Sequence, residues 1–197
     1  LGLFGKRLGG SVRVNGRELM DTSPADAMTE GLVMVSEDRR RYGLFLEKSV
    51  GFNLSLSSLG QFTSRLMIDP NREFHRNRAM IESLDIRATS QETLTGSLSG
   101  GNQQKVVIGK MLMTGPRVIL LDEPTRGIDV GAKVEIYELI NRLTGEGKAV
   151  VLVSSELSEL RGMSDRILIL SNGRISGEFE RGEATQERML NAAIAYS

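Results

Sequence analysis

Val118-Ile119-Leu120-Leu121-Asp122-Glu123-Pro124-Thr125 decides how this chain folds. Four apolar residues followed at once by two carboxylates describe a short buried strand whose charges emerge at its carboxyl end. Burying such charges is costly unless they meet something positive. Outward from this stretch, Leu32–Val35, Ala149–Val153 and Ile167–Leu170 are further apolar runs, separated by helical spacing near 132–143 and 156–161. Apolar strands alternating with amphipathic helices predict an α/β fold around a buried parallel sheet. Ligand sites in such sheets lie beyond the carboxyl ends of the strands, where Asp122 and Glu123 stand.

The flanking segments carry their own signals. Ser11–Val14 is expected as a strand entering a hairpin at Asn15-Gly16, a pair suited to a type I′ turn. Ser23-Pro24 starts a short helix that ends near Gly31. Between 44 and 95, Leu, Ile and Met recur at helical spacing, and Asp69-Pro70 opens a helix that runs to about Leu84. Asn172-Gly173 turns the chain into Arg174–Phe179, and a last helix covers about Thr185–Ala192. The expected division is a β-rich part at 1–43, a helical subdomain at 44–97, and 98–197 with the remaining core, C-terminal strands and last helix.

Composition limits the classes. With 197 residues, 40% of them hydrophobic and 25% charged, the chain can bury a core of its own. Twenty-five Lys and Arg balance 25 Asp and Glu, and that balance disfavours nucleic acid as a partner. There is no cysteine, which removes disulfides and thiolate metal sites. No apolar run approaches the roughly 20 residues of a membrane span. His75, the sole histidine, sits among Arg72, Arg76 and Arg78 and is expected at the surface.

An Asp at the end of a buried strand can hold Mg²⁺ against phosphates, and a neighbouring Glu can polarise an attacking water. Taken alone, the pattern also fits a strand that runs into an acidic helix cap. A second segment, Leu98-Ser99-Gly100-Gly101-Asn102-Gln103-Gln104-Lys105, joins a hydroxyl and two glycines to the start of a helix. Paired glycines let backbone N–H groups approach an anion, and the helix N-terminus adds partial positive charge. A glycine pair by itself is an ordinary loop with a Ser cap. The whole octapeptide followed by LLDEPT is far more specific.

On these residues the chain resembles the ATP-binding-cassette family, with a P-loop NTPase-like core into which a helical subdomain is inserted. Leu98–Lys105 resembles the signature motif, Val118–Asp122 the Walker B strand, Glu123 the catalytic glutamate and Gly127-Ile128-Asp129 the D-loop. Together with VSEDRRRYG and VSSEL, these motifs are similar to the second cassette of tandem ATPases that drive sugar importers of the ribose, xylose and galactose type. The resemblance implies ATP and Mg²⁺ as cofactors. It implies ATP or Mg²⁺ contacts for Asp122, Ser99, Gly100, Gly101, Asn102, Gln103 and Asp129, and catalytic roles for Glu123, Glu37 and Ser155. It further implies the first cassette of the same polypeptide and membrane permease subunits as partners, an indirect periplasmic sugar-binding protein, and the cytoplasmic face of the membrane as location.

Three departures from the family pattern matter. Glu37 stands where most cassettes have Gln, and Ser155 where most have His, so neither an uncharged amide nor an imidazole is available there. No G-x-x-x-x-G-K-[ST] occurs, and Gly5-Lys6-Arg7 does not supply one. The phosphate loop, and with it the N-terminal part of the core, is therefore expected before Leu1, and these 197 residues alone are expected to be inactive. Two other readings stay open: a cassette ATPase of a soluble machine for translation or DNA repair, and a non-catalytic domain that completes another cassette's ATP site. Arg39–Arg41 is expected to act locally near Glu37.

Overall fold

The computed structural model describes residues 9–19, 23–64 and 67–196; the Gly5-Lys6-Arg7 segment lies outside them. The chain divides into two units, Leu1–Val151 and Leu152–Ser197.

In the first unit, β1 (Val12–Val14) and β2 (Arg17–Leu19) pair antiparallel across Asn15-Gly16. Both turn residues have positive φ, 52° and 78°, as a type I′ turn requires. The Ser23 side chain accepts from Asp26 N, and Asp26 reaches back to Ser23 N, a capping box that starts α1 (Pro24–Thr29). Gly31, at φ +85°, ends that helix and turns the chain into β3 (Leu32–Val35).

The loop after β3 closes as a π-helical turn at Arg39–Gly43 and leads to α2 (Val50–Ser55), capped by Ser49. A 3₁₀ turn at Leu56–Gln61 follows, then β4 (Thr63–Ser64), β5 (Met67–Ile68) and α3 (Pro70–Ser83). Asp69 caps α3 by accepting from the N–H groups of Asn71 and Arg72. The 44–97 stretch thus holds α2, the 3₁₀ turn and α3, with a small antiparallel hairpin that the sequence does not announce. Asn53, fully buried, holds this stretch together. Its side chain accepts from Phe45 N and donates to Phe45 O, Ser49 O and Thr95 Oγ1.

The hub is α4 (Gly100–Leu112), buried at nearly every position from Gly101 to Lys110. A Cβ on Gly109 would stand 2.8 Å from a Leu54 methyl and 2.9 Å from a Leu84 methyl, so α2 and the end of α3 close on this helix where it has no side chain. Strand β6 (Val118–Asp122) then pairs in parallel with β3, Leu32 opposite Val118 and Val35 opposite Leu121. Alternation splits the two strands between faces. Leu32, Val118 and Leu120 pack with Val14, Leu19 and Ala27. Val33, Val35, Ile119 and Leu121, all essentially inaccessible, take the opposite face, and α4 packs on β3. Helix α5 (Val130–Gly145), capped by Asp129, buries Ile136, Leu139, Ile140 and Leu143.

The strand order is β3-β6-β7, with β7 at Ala149–Val153. Burial was expected for every strand of the sheet, but β7 departs from it: Val151 and Val153 are half exposed, at 50% and 53%. Among the described residues β7 is an edge strand, with a neighbour on one side only.

In the second unit, α6 (Leu157–Met163) precedes β8 (Arg166–Ser171), β9 (Arg174–Glu180) and α7 (Gln186–Ala193). Here the expectation of a parallel sheet needs correction. Strand β8 pairs antiparallel with β9 through the Asn172-Gly173 turn, in a sheet of its own. Its burial alternates accordingly, with Ile167 and Ile169 facing Phe179, Ala184 and Met189 while Leu168 and Leu170 face outward.

Candidate functional site

The carboxyl end of β6 delivers Asp122 and Glu123, both half-buried. Glu123 has φ +47°, in the left-handed region that a β-carbon disfavours. Such a residue carries strain of about 1–3 kcal/mol, tolerated only where the surroundings hold it. The turn closes when Arg126 N donates to Glu123 O at 3.1 Å, and Gly127 continues it at φ +67°. Asp129 then accepts from Ala132 N at 2.9 Å. This carboxylate is engaged as the cap of α5, a structural use that the sequence reading did not assign to it.

The loop after β3 faces this turn. Asp38 accepts from the N–H groups of Arg40 and Arg41, which fixes the π turn and aims Arg39 across the gap. Arg39 donates to Arg126 O at 3.1 Å and to Gly127 O at 3.3 Å. Burial lowers the Arg39 pKa, with the Arg40 charge adding to the effect and Asp38 opposing it. The Glu37 carboxylate forms an ion pair with the Arg126 guanidinium. These residues line an open concavity of about 300 Å³, walled by Glu37, Asp38, Arg39, Arg40 and Arg126.

The octapeptide start sits beside the same turn. Ser99 is exposed and caps α4, its Oγ accepting from Asn102 N at 3.4 Å and from the Asn102 amide at 2.9 Å. The Asn102 side-chain oxygen accepts from Arg87 N at 2.8 Å. A Cβ on Gly100 would stand 3.0 Å from Arg39 Nη2 and 3.2 Å from Gly127 O. One on Gly101 would stand 2.4 Å from the Ala132 Cβ. Gly101 is therefore demanded by close approach to the start of α5, and Gly100 is in tight contact with Arg39 and the turn after β6.

Gln103 is placed differently from the nucleotide contact expected of it. It is 4% exposed, and its amide donates to Leu98 O at 3.1 Å and Thr95 O at 3.4 Å. It braces the preceding loop from inside. Ser155 is exposed, belongs to the second unit, and follows β7. Asp122, Glu123, Glu37, Asp129 and the Ser99–Gly101 segment all fall within the first unit.

Two features were not read from the sequence. One is the Arg39 bridge, whose partners are backbone carbonyls. The other is a charged cluster beside α4, where buried Lys105 reaches Glu135 at 2.9 Å and Asp85 O at 2.9 Å, while Arg87 meets Glu135 at 2.6 Å. The Lys105 hydrogen bond, aided by the charges of Lys105 and Arg87, holds the Glu135 carboxyl below its usual range.

No group of three or more His, Cys, Asp or Glu side chains among the described residues could enclose a metal. Mg²⁺ is usually held by one or two carboxylates together with waters and substrate phosphates. Asp122 is an oxygen donor of the right kind at the right end of the strand. No helix among the described residues is long and apolar enough to cross a membrane.

With this geometry in hand, the family comparison is decisive: residues 4–126 match the family model described as ABC transporter. The chain belongs to the ABC transporter family. It is 50% identical over 184 residues to a xylose import ATP-binding protein of Moorella thermoacetica, covering 93% of this chain and 36% of that protein. A ribose import ATP-binding protein of Rubrobacter xylanophilus is 50% identical over 189 residues, covering 95% and 38%. A galactose/methyl galactoside import ATP-binding protein of Clostridium perfringens is 45% identical over 197 residues, covering 98% and 38%. The chain thus spans well under half the length of these curated relatives. Among solved structures, a nucleotide-free ATP-binding cassette superposes with TM-score 0.78 at 22% identity, covering 97% of this chain and 75% of that one. A dimeric post-hydrolysis cassette bound to ADP and Pi superposes with TM-score 0.72 at 22% identity, covering 88% and 74%. Both carry the fold: the chain has the ABC ATPase fold, of α/β architecture.

Proposed function

We propose that this chain is the ATP-binding domain of a monosaccharide ABC importer and serves as the second cassette of a tandem ATPase. The observation that carries the reading is the packing of Gly100 against the turn that follows Asp122 and Glu123. The names of the relatives support sugar import, and their greater length accommodates a first cassette. The division into 1–43, 44–97 and 98–197 is retained as a functional one.

The chemistry follows from the residues. Mg²⁺, when bound with ATP, neutralises charge on the phosphates. Asp122 would supply its protein oxygen, and Glu123 would orient and polarise the attacking water. Ser99 would offer its hydroxyl to the phosphate of a second ATP, held by the first cassette. The N–H groups at the start of α4 would do the same. Glu37, tied to Arg126, weakens the site on the Walker B side. The signature is the larger contribution of this domain. Motion from the ATP sites would reach the permease through the surface from Glu37 to Phe52, where Tyr42, Phe45 and Phe52 are exposed. The cytoplasmic membrane face is the corresponding location.

The Glu37–Arg126 pair favours one second reading, a domain that completes another cassette's site and does not hydrolyse at its own. Single-turnover hydrolysis in the full polypeptide separates the two. Ser99→Ala is expected to reduce hydrolysis more than Glu123→Gln; the reverse order would overturn the assignment of the signature as the main contribution.

A further inference from the structure

Three chain segments meet at one side chain. The loop after β3 contributes Arg39 itself, the turn after β6 contributes the carbonyls of Arg126 and Gly127, and the start of α4 contributes Gly100. The missing side chain of Gly100 leaves the space that Arg39 Nη2 occupies, since a Cβ there would come within 3.0 Å of it. A second tie crosses the same gap in the opposite sense, from Glu37 to the Arg126 guanidinium. Arg39 is held in place by its own loop, because Asp38 fixes the N–H groups of Arg40 and Arg41.

We propose that Arg39 is a positioning residue that sets where Ser99–Gly101 stands relative to the turn after β6, linking the Glu37 loop to the signature. A planar guanidinium with five fixed donors can bridge two successive carbonyls, which a lysine ammonium on a flexible stem does poorly. Arg39 makes this bridge at the cost of a partly buried charge whose Nε has no hydrogen-bond partner among the described residues. Retaining a charge there without need of it would be unfavourable. The effect is geometric: misplacing a catalytic segment by about 1 Å can cost about 10²-fold in rate. The proposal rests on the reading of Ser99–Gly101 as a working signature.

The test uses the full polypeptide reconstituted with its permease, comparing Arg39→Lys, Arg39→Ala and Ser99→Ala. Three quantities are measured: ATP turnover, thermal unfolding, and hydrogen–deuterium exchange of the peptides spanning 98–102 and 126–131. Arg39→Lys keeps the charge and is expected to lose at least about tenfold in turnover, with faster exchange confined to those two peptides and an unchanged melting temperature. Arg39→Ala is expected to lose at least as much. Full turnover in Arg39→Lys overturns the proposal, as does unaltered exchange at 126–131. Exchange that rises throughout the chain with a lowered melting temperature also overturns it, because Arg39 would then only stabilise the fold. If Ser99→Ala keeps full turnover, the signature reading itself fails. If Ser99→Ala is inactive while Arg39→Lys is normal, only the positioning role fails.

Discussion

Gly101 lies so close to Ala132 that a Cβ built on it would stand 2.4 Å from the alanine methyl, well inside any real contact distance. The start of α4 and the first turn of α5 therefore touch backbone to side chain at the point where both helices carry their caps, Ser99 and Asp129.

From this contact comes the first prediction. Gly101→Ala would gain up to about 1 kcal/mol of helix propensity. It would also force α4 and α5 apart, and overpacking of a closed site costs about 1–3 kcal/mol. The overlap is large, so net destabilisation is expected in urea denaturation. Adding Ala132→Gly removes the opposing methyl, and the double variant is expected to recover most of the loss. Equal stability of Gly101→Ala and the parent would show that the helices yield freely.

A second prediction concerns Asn53, whose side chain is joined to Phe45 N, Phe45 O, Ser49 O and Thr95 Oγ1 within a fully buried setting. Asn53→Leu is near in volume but strands several of these groups, each worth about 1–3 kcal/mol when left buried and unpaired. A loss of at least about 3 kcal/mol is expected, with faster amide exchange concentrated in 44–55 and 94–97. A loss below 1 kcal/mol would mean that other partners replace the amide.

These two sites illustrate what the sequence could and could not disclose. Strands β3 and β6 were legible because an apolar run bounded by Gly31 or by Asp122 has few alternatives. The caps at Ser23, Asp69 and Ser99 were legible because a short polar side chain before a helical run has a local role. Pairing was legible only in part: Asn172-Gly173 turns the chain from Ile167–Leu170 into Arg174–Phe179, but the apolar run does not say that this pair forms a sheet of its own. Two-residue strands such as Thr63–Ser64 are too short to show any period. In the site, Asp122 and Glu123 were readable from their place after a strand. Arg39 was not, because its partners are carbonyls that every residue possesses. Gln103 sits four positions after Ser99, and its inward turn depends on the loop folded beneath it.

A third prediction follows from Glu135, held below its usual carboxyl range first by the hydrogen bond from Lys105 and then by the nearby positive charges. A depressed folded pKa contributes stability that is present above the unfolded value, about 4.3. That stability is lost as pH falls through the folded value. Glu135→Gln is expected to destabilise the chain at pH 7 by about 1–3 kcal/mol, since buried Lys105 loses a charged partner. The variant's stability should also fall less steeply than the parent's below pH 4. Parallel pH profiles would show that Glu135 contributes no linkage.

The last prediction separates the two duties of Ser99, which caps α4 and is exposed at its tip. Asp is about as good an N-cap as Ser, so Ser99→Asp is expected to unfold within about 0.5 kcal/mol of the parent. A carboxylate at this tip would meet a nucleotide phosphate with like charge, at the place where the helix N-terminus otherwise favours an anion. ATP turnover in the full polypeptide is therefore expected to fall at least tenfold in Ser99→Asp, and binding of ATP between the cassettes to weaken with it. Ser99→Ala removes the cap, costing about 1 kcal/mol; it adds no charge, so its turnover is expected to lie above that of Ser99→Asp. If Ser99→Asp is fully active while remaining as stable as the parent, no phosphate approaches α4, and the tip of this helix serves the fold alone.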